Sequence, residues 1–358
     1  MKQSLFFLSI LIIAFCLGCS GLEEKQGPVE IVLDDWHMRN VTQLTFDGDN
    51  GEAYFSWDGA RLIFQSNREG YACDKIWVMN ADGSNMHMVS PRYGAHTCAF
   101  FVPGDKKIVF SSTSRLPGDC PPKPNMPKVS GHVWPLYPYD IYVAGADGSA
   151  MQRLTYNPEY DAEPVVSFDG KYIVFGSKRE GDFDVYVMNS DGANVRRLTD
   201  RVGYDGGPWF SPDGKKIVWR AWYPETEDEK AMWRNCMENN YIIPTPLDLW
   251  IMDSDGSNKM LILKNGATNF APSWHPDGKR IIFSSNMDDW RAEMKLYGHN
   301  FELYLINNDG TGLERITHNK VFDGFPMFSP DGKKLAFASN RNPQKPRATD
   351  IFVAEWVE

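Results

Sequence analysis

The apolar and polar positions of this chain alternate with a period of two over short runs, and the runs recur. Six of them are close copies: "DKIWVMN", "YDIYVAG", "FDVYVMN", "LDLWIMD", "FELYLIN" and "TDIFVAE". A β-branched run such as "KKIVFSS" or "RIIFSSN" stands before each, and before that comes a Gly/Asp turn. The turns are Asp58-Gly59, Gly104-Asp105, Asp169-Gly170, Asp213-Gly214, Asp277-Gly278 and Asp331-Gly332. A second turn ("ADGS", "SDGA", "SDGS" or "NDGT") follows five of the six alternating runs, and a short closing run such as "RLT" follows it. Asp-Gly between period-2 apolar runs is a strong hairpin signal, because glycine accepts the positive φ these turns require. Each unit is expected to be a four-stranded antiparallel sheet, with strands A to D. Repetition of such a unit predicts an all-β, six-bladed β-propeller.

The ends of the repeat array support ring closure. The sixth unit stops at its third strand, "DIFVAEWVE", while "VTQLT" at 41–45 spells a closing strand with no unit in front of it. Val41–Thr45 is therefore expected to pair with Ile351–Glu355, which removes a free sheet edge. A single domain over 40–358 follows.

The segments Ser211-Pro212-Asp213-Gly214-Lys215, Ser329-Pro330-Asp331-Gly332-Lys333 and His275-Pro276-Asp277-Gly278-Lys279, with the strands behind them, resemble the TolB-like propellers built from WD40-like (PD40) repeats. The resemblance covers about residues 40–357. It implies the propeller fold. For function it implies only a range, since such propellers serve as envelope binding proteins, as scaffolds and as gating domains fused to peptidases.

Outside the repeats, Lys2, the apolar run Leu5–Leu17 and Gly18-Cys19-Ser20 read as an export signal. It resembles a lipoprotein signal, so residues 1–18 are expected to be removed and Cys19 acylated. Residues 19–39 read as a polar tether. The expected location is the cell envelope, lipid-anchored on the periplasmic side or at the outer-membrane surface. A net charge of −10 without a Lys/Arg block excludes a nucleic-acid partner. A monomer is expected.

The A–B and C–D turns should share one face of the disc, and the B–C and D–A loops the other. Long B–C loops at 114–138, 221–246 and 286–300 concentrate on that second face. They carry Trp134, Tyr137, Tyr139, Trp222, Trp233 and Trp290, and Thr226 with Glu229 fits a helix capping box. Eight positions before the turn residue stand Asn50, His96, Asp161, Asp205, Asn269 and Asp323, at the start of each innermost strand. Glu52 and Glu163 lie two positions further on. A polar ring at the channel mouth is one expectation, able to hold a ligand amine, a basic peptide terminus or, through Asp161, Asp205 and Asp323, Ca²⁺. Structural capping of strand starts is the other. No cofactor is required by this reading.

Arg68, Arg179 and Arg341, with Arg220, follow strand B and are expected to pair with the leading aspartates. Among the cysteines, Cys73, Cys98 and Cys120 fall near blades 1 and 2; Cys98–Cys120 is the expected disulfide, and Cys236 is left unpaired. No G-x-S-x-G or H-E-x-x-H motif occurs. The function expected is binding or scaffolding of a protein, peptide or glycan on the loop-rich face. The alternative is a propeller enzyme, a glycan lyase or hydrolase using Asp161, Glu163 and His96 at the channel mouth.

Overall fold

A computed structural model describes residues 29–31, 36–129, 131–288, 300–343 and 348–358. The signal segment, Cys19 and Trp290 lie outside these residues. Six antiparallel sheets are arranged in chain order around one axis. Their innermost strands are Asn50–Phe55, His96–Phe101, Asp161–Val166, Tyr204–Phe210, Asn269–Trp274 and Asp323–Phe328. Blades 1 to 5 each comprise strands A to D in sequence order.

Blade 6 is completed across the termini as expected. Met38–Gln43 pairs antiparallel with Asp350–Trp356, aligning Thr42 with Val353 and Gln43 with Phe352, and Leu44 N–H donates to Ile351 O at 2.8 Å. Val29–Ile31, inside the stretch read as a tether, adds a fifth strand outside Met38–Gln43.

The Asp-Gly turns fold by local chemistry. Ser56, Ser167, Ser211 and Ser329 each donate to the Asp two positions on, at 2.6–2.7 Å, and these carboxylates cap nearby backbone N–H groups. In these four blades the turn Asp is thus spent within its own turn, while Asp105 of blade 2 accepts from Trp57 and Asp58 N–H of the blade 1 turn.

Between the sheets lie apolar clusters that together make up the core. Strands B and C contribute fully buried side chains such as Phe64, Phe110, Phe175, Trp219, Phe283 and Phe337, whose faces meet those of the next blade. The blade 4 loop forms the expected helix, α1 (Glu227–Glu238), with both halves of the Thr226/Glu229 capping box made. Its Trp233 is 3% exposed and donates from Nε1 to Asp182 at 2.6 Å, clamping α1 onto blade 3. The loops of blades 2 and 4 meet in a two-stranded ribbon, Trp134–Pro135 with Tyr241–Ile242.

Candidate functional site

Each innermost strand carries a register shift, after Gly51, Thr97, Ala162, Gly206, Phe270 and Gly324. The residue that follows takes a left-handed conformation in all six blades: Glu52, Cys98, Glu163, Gly207, Ala271 and Phe325, with φ between 50° and 58°. Five of these are not glycine, although that conformation costs an ordinary residue about 1–2 kcal/mol. A bulge re-aims the side chain it carries, and here all six residues line one cavity of about 490 Å³ on the axis.

An aromatic cluster lies beneath this ring. Tyr54, Phe100 and Trp209 converge from blades 1, 2 and 4, with ring centroids 5.0 Å (Tyr54–Trp209) and 5.2 Å (Phe100–Trp209) apart. Above it, the blade 2 and 4 loops contribute Trp134, Leu136, Tyr137, Ile242 and Ile243 to the walls. The result is a chamber with an aromatic floor and walls that the blade 2 and blade 4 loops extend.

The chamber's buried charged groups lie on blades 1, 3 and 4, and the blade 2 loop adds Lys123 to its wall. Arg220 Nη2 lies 2.6 Å from Glu163 Oε1, and its Nε and Nη2 donate to Tyr204 OH at 3.0 and 2.9 Å. Gly207 N–H donates to Glu163 Oε2 at 2.8 Å. A Cβ on Gly207 would sit 2.6 Å from Arg220 Nη1, so glycine is what lets the guanidinium cross the bulge.

Glu52 has no such partner. Tyr54 OH reaches its Oε2 at only 3.5 Å, and among the described residues it makes no ion pair. Burial, then the Glu163 charge, push its pKa up to about 7 against the pull of Cys98 and Arg220. Asp74, also lining the chamber, is pushed up to about 7 by burial and by Asp49, while Lys75 opposes the shift. Burial and the two glutamates raise the Cys98 thiol well above its usual range, so it is not an activated nucleophile.

These shifts set a pH dependence. The Glu52 carboxyl has a folded pKa above its unfolded value of 4.5. Its contribution to stability is therefore complete below about pH 4.5 and is lost as the pH rises through about 7. Glu52→Gln removes the charge in both states, and it is expected to melt above wild type at about pH 8 with the gap closing toward about pH 5. A gap in melting temperature that does not change with pH would overturn this assignment.

The six leading residues serve another purpose. Each N–H donates to a carbonyl of the preceding blade just before its strand C: Asn50 to Thr349, His96 to Asp74, Asp161 to Tyr139, Asp205 to Phe183, Asn269 to Leu247 and Asp323 to Phe301, at 2.8–3.2 Å. Their side chains are at most 1% exposed. Asp161 accepts from Ser177 and Arg179, Asp323 from Asn319 and Arg341, and Asp205 from Trp219 and Tyr223. Asn269 donates to Leu247 O, and His96 Nε2–H to Tyr93 O at 2.9 Å. Of the six leading residues only Asn50 lines the chamber, together with Glu52 and Glu163 two positions further on.

Asp161, Asp205 and Asp323 sit in three blades, each on its own partners. No group of three or more metal-ligating side chains occurs among the described residues. The Arg–Asp pairs at Arg179 and Arg341 form as expected, but within a blade. Arg220 is three positions short of that register, which Tyr223 fills in blade 4, and this frees it for Glu163.

Two further expectations are corrected. The disulfide is Cys73–Cys120, leaving Cys98 free and buried in the channel ring, while Cys236, also free, is buried on α1. The bulge turns the Cys98 side chain inward, away from the blade 2 loop. Trp222 and Trp233 meet edge to face, with ring centroids 6.1 Å apart, and neither lines the chamber, whereas Trp134 and Tyr137 do. Arg220, Tyr54 and Asp74 were not expected as chamber groups. Counting two positions past each leading residue would have found the ring, but the six residues there share no chemical type.

A family profile described as the TolB beta propeller domain (PD40) matches residues 138–234. The Tol-Pal system protein TolB of Alcanivorax borkumensis is 30% identical over 97 residues, which is 27% of this chain and 20% of that protein. The chain thus aligns with about a fifth of the length of such curated relatives. Among solved structures, a protein assigned as TolB from Agrobacterium tumefaciens superposes with TM-score 0.56 at 20% identity, covering 87% of this chain and 91% of that one. An oligogalacturonate lyase from Vibrio parahaemolyticus superposes with TM-score 0.54 at 10% identity, covering 92% and 96%. At that identity the likeness to the lyase is one of fold. By its repeats and its closure the chain is a six-bladed β-propeller, and its residues 138–234 are similar to the TolB beta propeller domain.

Proposed function

We propose that this propeller is a binding module of the cell envelope, held there by acylation of Cys19, and that its chamber receives a positively charged group carried by a protein partner. One observation carries this reading. Glu52, which makes no ion pair among the described residues, presents a buried carboxyl to a chamber lined largely by aromatic and aliphatic side chains, and Asp74, opposed only by its neighbour Lys75, adds a second carboxyl. Isolated buried carboxylates are costly, and a bound ammonium or guanidinium supplies the missing countercharge while the rings accommodate the rest of the segment. The similarity to a Tol-Pal system protein favours a protein ligand over a glycan. No helix among the described residues is long and apolar enough to cross a membrane.

Immobilised wild-type protein is expected to retain a protein from envelope extract that a Glu52→Lys variant does not, because Lys places a like charge where the partner's cation would sit. Equal recovery by folded Glu52→Lys, or no protein retained by either, would overturn the reading.

A further inference from the structure

Strand C begins with an acid in five blades: Asp140, Asp184, Asp248, Glu302 and Asp350. Blade 1 begins it with Lys75, which is wholly buried. Its ammonium donates to Gly94 O, to Asp119 O at 3.5 Å and to Cys73 Sγ at 3.5 Å. It therefore stands directly under one sulfur of the Cys73–Cys120 bond. Asp119 and Asp74 are the carboxylates that support its charge against burial. A cation beside a cysteine favours the thiolate.

The bond holds one end of a strap. From Cys120 the chain runs to Trp134, where the ribbon with Tyr241–Ile242 holds the other end. Between them Lys123, Met126, His132 and Val133 wall the chamber. Pro121, Pro122, Pro124 and Pro127 have no N–H to donate, and no described residue from 121 to 133 makes a hydrogen bond. Covalent attachment replaces backbone bonding along this wall.

We propose that Cys73–Cys120 is a thiol-exchange site at which a dithiol reductant releases the strap from the chamber. The reductant's thiolate attacks Cys120 Sγ, the S–S bond breaks, and its electron pair leaves on Cys73 as a thiolate beside the Lys75 ammonium. The reductant's second thiolate then attacks its own sulfur in the mixed disulfide. Cys120 is expelled as a thiolate, and the reductant becomes a disulfide. Two electrons pass to the protein, and the reductant's two thiol protons are taken up by the two cysteines or by water. The exchange does not require that the chamber bind a partner; only its consequence for ligand access rests on that reading.

Brief exposure of native wild-type protein to glutathione, acid quenching and mass mapping should place the glutathione adduct on Cys120, with Cys73 free. An adduct mainly on Cys73 would overturn the assignment. With dithiothreitol under native conditions, Lys75→Met should be reduced roughly tenfold more slowly than wild type. Reduction that requires global unfolding, or an unchanged rate in the folded variant, would overturn it too. Cys73→Ser/Cys120→Ser should be cleaved by trypsin after Lys128 several-fold faster than native wild type, while the rest of the propeller stays intact; an equal cleavage rate would refute release. Each of these is read without any partner protein, so its failure is distinct from failure of the pull-down.

Discussion

Removal of residues 1–45 is expected to abolish cooperative folding. The lost strand, Met38–Gln43, is the outer partner of Asp350–Trp356. With Leu44 it buries Met38 and Val41, all three side chains being no more than 5% exposed. Burial of such side chains contributes about 1.5–3 kcal/mol each, so roughly 5–9 kcal/mol is lost from apolar contact alone. That is comparable to the whole stability of a typical domain, about 5–15 kcal/mol. Asp350 also loses the bonds from Gln43 and Thr45 that hold its buried carboxyl, and strand C of blade 6 becomes an open, aggregation-prone edge. Circular dichroism melts and size exclusion check the expectation. A truncated chain that stays monomeric and melts sharply within a few degrees of full length would sink it.

Arg220→Met should be the most damaging single substitution in the chamber. Arg220 and Glu163 are 15% and 17% exposed, and their 2.6 Å contact is the chamber's one full ion pair among the described residues. Methionine approximates the stem of arginine but strands the Glu163 carboxylate and the Tyr204 hydroxyl. Breaking a buried pair by deleting one partner costs about 3–5 kcal/mol. The midpoint of denaturant unfolding, at unchanged slope, measures this directly. Glu163→Gln/Arg220→Met should recover more than half of the loss, because no charge is then left unpaired. A single variant within about 1 kcal/mol of wild type would show that solvent in the chamber already screens the pair.

Much of the architecture could be read before any coordinates. Ser56-x-Asp58-Gly59 and its copies form their turns by bonds spanning two residues, so the signal and its cause lie in the same short window. The closing strand was legible for a related reason, since "QLT" without a preceding unit and a sixth unit without a fourth strand can be matched by counting. The site was only half legible. Glu52 and Glu163 were placed near the channel, but His96, Asp161, Asp205, Asn269 and Asp323 were set in the same ring and in fact tie each blade to its predecessor. The repeated bulge separates the two sets, and nothing in the residue types at Glu52, Cys98, Glu163, Gly207, Ala271 and Phe325 announces it.

By itself, then, the sequence determined the strand period, the turns, the number of blades, the capping box of α1 and the way the circle closes. All of these are local preferences, or sums of a preference repeated six times. Tertiary structure decided which side chains face the axis, that Arg220 reaches Glu163 across a glycine, that Cys120 joins Cys73 and not Cys98, and that two distant loops wall the chamber. These outcomes depend on the directions taken by side chains after a left-handed residue and on which blade stands beside which. Pairings between residues 47 or 57 positions apart are set by how packed sheets meet in space, and no local window contains that information.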